Sequence, residues 1–413
     1  MVEGGAVISK SVVSIVRTKR NPGYDEIRAA VDKALGLIGG VRDVIKPGQL
    51  VLVKPNLAAP PADREHAVVT SPEVCGAVAD VVKEMGARPV IAESSAIGTD
   101  TEQIIADSGY LQLREMGYEV INLKKEKDMI MLPVANGKVF DKIQSYPLVK
   151  EADVIISVPK LKTHDQTEIT CAIKNLKGLE SDAHKRKTHK LGVAKGIVDL
   201  MSVIKPSLTV VDAIVCQEGL GPIYGEPVEM DLIIASRDLV AADAVCGRII
   251  GFDPSEVMIT VEAAERGFGK MKAEDIEVVG ESIQSVYRRF KRNVEDNPVE
   301  VEGFRWLSKD DTCTGCRSTV MSSLVDMRNS KQLGYLPGIT VITGNADIPP
   351  GTSEDSIVAV GNCVPKQKRG HRFVEGCPPN NVYVVQAILS GQAEAKRMYS
   401  DKEEKEIVKS EEQ

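Results

Sequence analysis

Aromatic residues are scarce in this chain: they make up 4% of 413 residues, with six Phe, nine Tyr and a single Trp. A surface that stacks bases needs rings in number. The formal net charge of −7 also denies the chain the broad positive field that draws polyanions. Together these argue against nucleic acid as a partner. No run of about 18 apolar residues occurs, so no membrane span is expected. The start, Met1-Val-Glu-Gly-Gly, has no charged-then-apolar export signal. Neither Gly-x-Gly-x-x-Gly nor the Walker pattern is present, there is no flavin fingerprint, and no internal repeat recurs at a fixed period. With 43% hydrophobic and 27% charged residues the composition is that of a globular protein, and the length suffices for two or three cores. The expectation is a soluble, cytoplasmic, multi-domain protein.

Cysteine is where the sequence becomes specific. Four of the eight lie in the last quarter, as Cys313-Thr-Gly-Cys316, Gly361-Asn-Cys363 and Gly376-Cys377-Pro378-Pro379. Four thiolates beside glycines or turn formers make the ligand set of an iron–sulfur cluster or of a structural zinc. Zinc sites usually present two compact Cys-x-x-Cys knuckles, whereas here the third and fourth cysteines are single and widely spaced. Proline after the last cysteine is frequent in iron–sulfur loops, where it fixes the chain and removes a competing donor. The preferred reading is a 4Fe–4S cluster on Cys313, Cys316, Cys363 and Cys377. Zinc, a redox disulfide and plain buried thiols are the alternatives. Cys75 and Cys246 fall within expected helices and read as core, while Cys171 and Cys216, nearer strand ends, read as inert thiols.

Along the chain, apolar strands without alternation are expected at Ser11–Val16, Leu50–Val53, Pro89–Ala92, Tyr118–Asn122, Asp153–Val158, Leu208–Val211 and Leu232–Ala235. Helices are expected between them, including Tyr24–Ile38, a Ser71-capped helix to Met85, and one from about Thr101 to Met116. Such strands must be covered on both faces. The fold class is therefore α/β: a doubly wound, mostly parallel sheet over residues 1–290, then a smaller α/β, flavodoxin-like module at 304–395. In that module Phe304–Leu307, Ile339–Thr343 and Ile357–Val360 read as strands, with helices at Ser318–Met327 and Val382–Leu389. Residues 291–303 read as a linker and 396–413 as a charged, disordered tail.

Ligands of α/β sheets sit at the carboxyl ends of the strands. There the chain places Lys54 and Asn56, Glu93 with Ser94 and Ser95, Asp212, and Arg237. Pro159-Lys-Leu-Lys-Thr-His164 follows the clearest strand, and Lys174, Asn175 and Lys177 follow within one connection. This concentrates positive charge, suited to a phosphate or carboxylate. Lys160, Lys162 and His164 are the candidate catalytic groups. His164 suits general acid–base work because imidazole titrates near neutrality. Substitution of Lys160 or Lys174 by Ala is expected to weaken anion binding with little cost to the fold. The spacing of His164, His184 and His189 fits no compact metal motif, so solvent or substrate contact is expected for them. The loop Gly219-Leu-Gly-Pro-Ile-Tyr-Gly225 could approach an anion but reads more simply as a turn.

Two resemblances attach to these residues. The Cys-x-x-Cys, Gly-x-Cys and Gly-Cys-Pro-Pro run resembles the proximal-cluster domain of nickel–iron hydrogenase small subunits and the related complex I subunit, over about 75 residues. Further upstream, Lys54-Pro-Asn56, Thr70-Ser-Pro72, Glu93-Ser-Ser95, Pro159–His164, Ala172–Gly178 and Gly219–Pro222 look like the motifs of the family called domain of unknown function 362, over roughly residues 45–270. Members of that family often carry ferredoxin-like pairs of four-cysteine runs, from which this sequence departs. The leading functional expectation is an iron–sulfur oxidoreductase or electron-transfer protein acting on a small anionic substrate. One cluster moves one electron at a time, so an electron donor or acceptor such as a ferredoxin is the expected partner. A non-catalytic electron relay, and an isomerase or lyase with a structural or Lewis-acid cluster, stand as alternatives.

Overall fold

The structure, a computed structural model, describes residues 10–61, 65–292, 299–309 and 312–392. The charged tail and residues 293–298 of the expected linker lie outside the described residues. In chain order the strands are β1 (Ser11–Arg17), β2 (Leu50–Pro55), β3 (Arg88–Glu93) and β4 (Glu119–Asn122). A small antiparallel pair follows, β5 (Ile130–Pro133) and β6 (Lys142–Ser145). Then come β7 (Val154–Val158), β8 (Lys160–His164), β9 (Glu168–Thr170), β10 (Leu208–Glu218), β11 (Glu226–Ser236) and β12 (Ile276–Gly280).

The main sheet runs β12-β1-β11-β10-β7-β2-β3-β4, with β8 beside β10 and β9 beside β8. Along that path every neighbour is parallel except β11, which is antiparallel to both β1 and β10. Both faces are covered, and alternation within single strands shows it. Leu52 and Ile155 enter one core with the helices Val193–Ile204 and Leu239–Ile249. Val51, Val53, Val154 and Ile156 enter the other, with the helices Tyr24–Leu37 and Pro72–Glu84. Strands buried on both sides read as unbroken apolar runs, which is how they were recognisable.

Three local features differ from expectation. The helix expected over Thr101–Met116 is two, Thr101–Asp107 and Tyr110–Glu115, parted at Gly109 with φ of 81°. Residues after Pro159 do not form an open loop but pair as β8, parallel to β10. The Gly219–Gly225 loop closes a long β10–β11 hairpin, with Glu218 opposite Glu226, and so serves as a turn.

A second, four-stranded sheet is parallel throughout, in the order β13 (Arg305–Leu307), β14 (Thr340–Thr343), β15 (Ile357–Val360), β16 (Arg372–Val374). Helices Thr314–Asn329 and Asn381–Leu389 bury Val320, Leu324, Val384 and Val385 against Val341 and Val358 in its own core. The first helix begins four residues before the expected Ser318, because apolar periodicity starts only at Val320. Cys313 is consequently its N-cap, and Cys316 sits in its first turn.

The two sheets meet along a seam held largely by main-chain atoms. Cys377 N–H donates to the His189 carbonyl at 3.3 Å, and Val193 N–H donates to the Cys377 carbonyl at 2.8 Å. The Gln166 side-chain amide donates to the Pro379 carbonyl at 3.2 Å, and the Asn362 side-chain amide to the Lys190 carbonyl at 3.3 Å.

Candidate functional site

A cavity of about 220 Å3 lies at this seam, over the carboxyl ends of β2 and β3. Lys54, Asn56, Glu93, Ser94, Ser95, His164, Lys174, Asn175 and Lys177 all wall it, together with Lys185 and His189. Asn380, Asn381 and Val382, which follow the last cysteine loop, close it from the other side.

Its floor is a buried ion pair. Lys54 Nζ lies 2.6 Å from Glu93 Oε2 and donates also to the Pro55 carbonyl and to Asn175 Oδ1. Glu93 in turn accepts the Leu57 and Ser94 amides. Gly178 is pressed so close that a Cβ there would fall 1.8 Å from Glu93 Oε1 and 2.7 Å from Lys54 Nζ. Lys185, 3% exposed, is held by the Ser94 and Ser95 carbonyls, the Ser94 hydroxyl and Asp182.

Two lysines are left over. Lys174 makes no hydrogen bond or ion pair among the described residues, and burial lowers its pKa to about 8. Lys177 donates only to the Lys185 carbonyl, at 3.3 Å, and burial lowers its pKa to about 7. Around them, Asn56 Oδ1, Thr170 Oγ1 and His189 Nδ1 are buried polar atoms with no hydrogen-bond partner. Buried polar groups are ordinarily satisfied, so water or a bound ligand must complete these three. His164 is neutral at pH 7: burial first, then Lys174, lowers its pKa to about 4. Its Nδ1 accepts the Gln166 amide at 2.9 Å, which assigns the proton to Nε2. Asp165, 2.9 Å from the same Nδ1, is therefore a neighbour of a lone pair and not a salt-bridge partner. The arrangement can hold a small anion on Lys174 and Lys177 beside a neutral imidazole able to exchange a proton.

Four expected site residues are not brought to the cavity. Lys160 lies beneath it, ion-paired to Asp212 at 2.6 Å with both side chains at most 1% exposed. Lys162, wholly buried, donates to the Val68 carbonyl at 2.5 Å. Strand β8 explains both positions, since its residues are pinned against β10 instead of lying on a loop. Asp212 additionally accepts the Ser71 and Ile214 amides. Arg237 sits at the opposite edge of the sheet, paired with Asp43 at 2.5 Å. It follows β11, the strand that runs backwards, so its carboxyl end lies where the others begin. Lys185, by contrast, was missed: its signal was the basic run His184–His189, whose helical register turns it inward.

The cysteines divide by environment. Cys75, Cys171, Cys216 and Cys246 are fully buried, while Cys313 and Cys363 are exposed and Cys377 is half-buried. Strand ends deliver them: Cys313 follows β13, Cys363 follows β15 and Cys377 follows β16. No conventional capping bond closes the helix at Cys313. Its thiol is nonetheless drawn down to about 6, chiefly by the Cys316 S–H and, against burial, by the amides of Cys316 and Gly315. Cys316 is pushed up by that hydrogen bond, by burial, and by the charges of Cys313, Cys377 and Cys363, so the four sulfurs lie within electrostatic reach of one another. Gly361, at φ of 96°, passes so near that a Cβ would lie 2.6 Å from Cys316 Sγ. Among the described residues no group of three or more His, Cys, Asp or Glu side chains is arranged to hold a metal ion as it stands.

Residues 51–248 match the family model Domain of unknown function (DUF362). The chain is 30% identical over 264 residues to "Thylakoid-associated protein sll1697" from Synechocystis sp., a match spanning 62% of this chain and 80% of that protein. The chain belongs to the domain of unknown function 362 family. Among solved structures it is similar to the lactate racemase apoprotein from Thermoanaerobacterium thermosaccharolyticum, at 11% identity and a TM-score of 0.41 over 81% of this chain and 69% of that one. A Thermotoga maritima protein gives 10% identity and a TM-score of 0.31, over 54% and 57%. No described helix is long and apolar enough to cross a membrane.

Proposed function

We propose that this chain is a cytoplasmic iron–sulfur protein that binds a small carboxylate or phosphate beside a 4Fe–4S cluster, and that it works in oxidation–reduction or electron transfer. The observation carrying this reading is that the loop bearing Cys377 continues directly into Asn380, Asn381 and Val382, which wall the cavity holding Lys174 and Lys177. Cys313, Cys316, Cys363 and Cys377 would hold the cluster. Their residues fit it: three of the thiols stay accessible, Cys313 favours its thiolate, and glycine at 361 leaves room beside Cys316. The resemblance of this cysteine pattern to the hydrogenase proximal-cluster domain supports the same assignment. Such a cluster supplies one-electron chemistry at a potential tuned by nearby hydrogen bonds and exposure. The chain's own part is to bind the anion on Lys174 and Lys177, to exclude water by closing the seam, and to exchange a proton at His164 Nε2. A ferredoxin-like protein would supply or remove the electron.

The test is anaerobic purification with iron and sulfide analysis, followed by EPR of the reduced protein titrated with small acids and phosphates. A cluster signal that shifts on adding one of them is expected. Protein that contains zinc and no acid-labile sulfide, or a cluster indifferent to every anion, would overturn the reading.

A further inference from the structure

A second cavity, of about 500 Å3, continues along the seam between the helix Asp182–Leu191 on one side and β16 with the helix Asn381–Leu389 on the other. Ile97, His189 and Asn380 wall both cavities, so the two are contiguous. Their linings differ in kind. The inner space, about 220 Å3, is walled by lysine ammonium groups, amides, hydroxyls, the imidazoles of His164 and His189 and the carboxylates of Glu93 and Asp165, with no aromatic ring of Phe, Tyr or Trp among them. The outer one is more than twice as large and combines cations with rings: Arg186, Lys187 and Lys190 share its lining with Tyr383 and with Phe373, over whose ring the Arg369 guanidinium lies at 4.2 Å. Glu375 is the one acid in that lining, and Lys190 holds it at 3.1 Å. Lys187 has no ion-pair or hydrogen-bond partner among the described residues. Positive charge beside aromatic faces suits a planar ring that carries an anionic group, because the ring stacks while the anion is neutralised.

We infer that the outer cavity is a second subsite, which takes the ring-bearing phosphate portion of a ligand whose acidic head enters the inner cavity. The head group's place rests on the function proposed above; the outer subsite rests on its own walls. The shared residue His189 stands at the junction, its Nδ1 buried and unpartnered, and would contact the ligand where the two parts join.

Calorimetry on the full-length protein with three probes separates the claims: oxalate for the inner cavity, adenosine monophosphate for the outer one, and glycerol phosphate as its ring-free control. Adenosine monophosphate should bind at least fivefold tighter than glycerol phosphate. Lys187→Glu combined with Tyr383→Ala should weaken it at least tenfold while oxalate binding stays unchanged; both side chains are at the surface, and an unaltered thermal midpoint verifies the fold. Equal affinity for the two phosphates, or nucleotide binding indifferent to the double variant, overturns the outer subsite. Oxalate binding that ignores Lys174→Ala, with the nucleotide results intact, overturns the inner assignment alone.

Discussion

Cys377 is tied by its amide to the carbonyl of His189 and by its carbonyl to the amide of Val193, at 3.3 and 2.8 Å, so a proposed cluster ligand and a wall of the anion cavity are joined backbone to backbone. A change at either one therefore has a short route to the other.

Loss of a proposed ligand should empty the metal site selectively. Protein made anaerobically is expected to carry about four irons and four sulfides per chain on four-thiolate ligation. Cys363→Ser or Cys377→Ser should cut both sharply. Cys75→Ser and Cys246→Ser, which alter thiols buried in the main cores, should leave the iron content as it is. Retention of the cluster in Cys363→Ser would show that another residue is the third ligand.

Anion binding should be strongest in neutral to mildly acid solution. Lys174 and Lys177 titrate at about 8 and about 7 because burial disfavours their charged forms. Each must be cationic to hold the anion, so affinity should fall as pH rises from 6 to 9. Stability without ligand should move the other way: between these folded values and the ordinary 10.5 the unfolded chain binds more protons, and stability rises with pH. Lys174→Ala should cost roughly ten- to hundredfold in affinity, the worth of a charge-assisted contact. Calorimetry at several pH values measures the first trend and chemical denaturation the second. An affinity flat from pH 6 to 9 would remove both lysines from the site.

Lys160→Ala should act on the fold. It strands Asp212 in a fully buried position, and breaking such a pair typically costs about 3–5 kcal/mol. Urea denaturation should register that loss, whereas Lys174→Ala should change the midpoint little. Comparable stability in the two variants would contradict the buried pairing.

Gly178→Ala should disrupt the cavity floor, since the added carbon would overlap Glu93 and crowd Lys54. Gly36→Ala is the control: it lies within the helix Tyr24–Leu37 with nothing within 4 Å of a new Cβ. That change should be neutral or stabilising by up to about 1 kcal/mol. Thermal melts of the two variants decide the matter, and a Gly178→Ala protein as stable as the Gly36 variant would mean the floor can yield.

Much of this architecture was legible in the residues. Strands such as Val154–Val158 are apolar but for Ser157, without alternation, and that pattern forecasts cover on both faces, which Ile155 and Ile156 bear out by entering opposite cores. Nine of the residues expected at the strand ends do wall one cavity. What stayed hidden was direction and pairing. Nothing in Leu232–Ala235 says that β11 runs backwards, and so the sequence points Arg237 to the wrong edge. Lys160 and Lys162 look like loop lysines until β8 pairs with β10, for a one-residue step at Pro159 is all that separates the two strands. The contribution of Asn380 and Asn381 to the cavity was equally unreadable, because it depends on how one sheet rests on another.

Main-chain groups dominate the joint between the two sheets: the carbonyls of His189, Lys190 and Pro379 accept there, and the amides of Cys377 and Val193 donate. Carbonyl oxygens are the same whatever side chain the residue carries. Relatives that differ at positions 189 and 190 can thus keep these main-chain bonds to the cysteine-bearing part, losing at most the exposed Lys190–Glu375 ion pair. The cavity walls can accordingly drift toward a different ligand, one substitution at a time, while the joint beneath them holds its geometry.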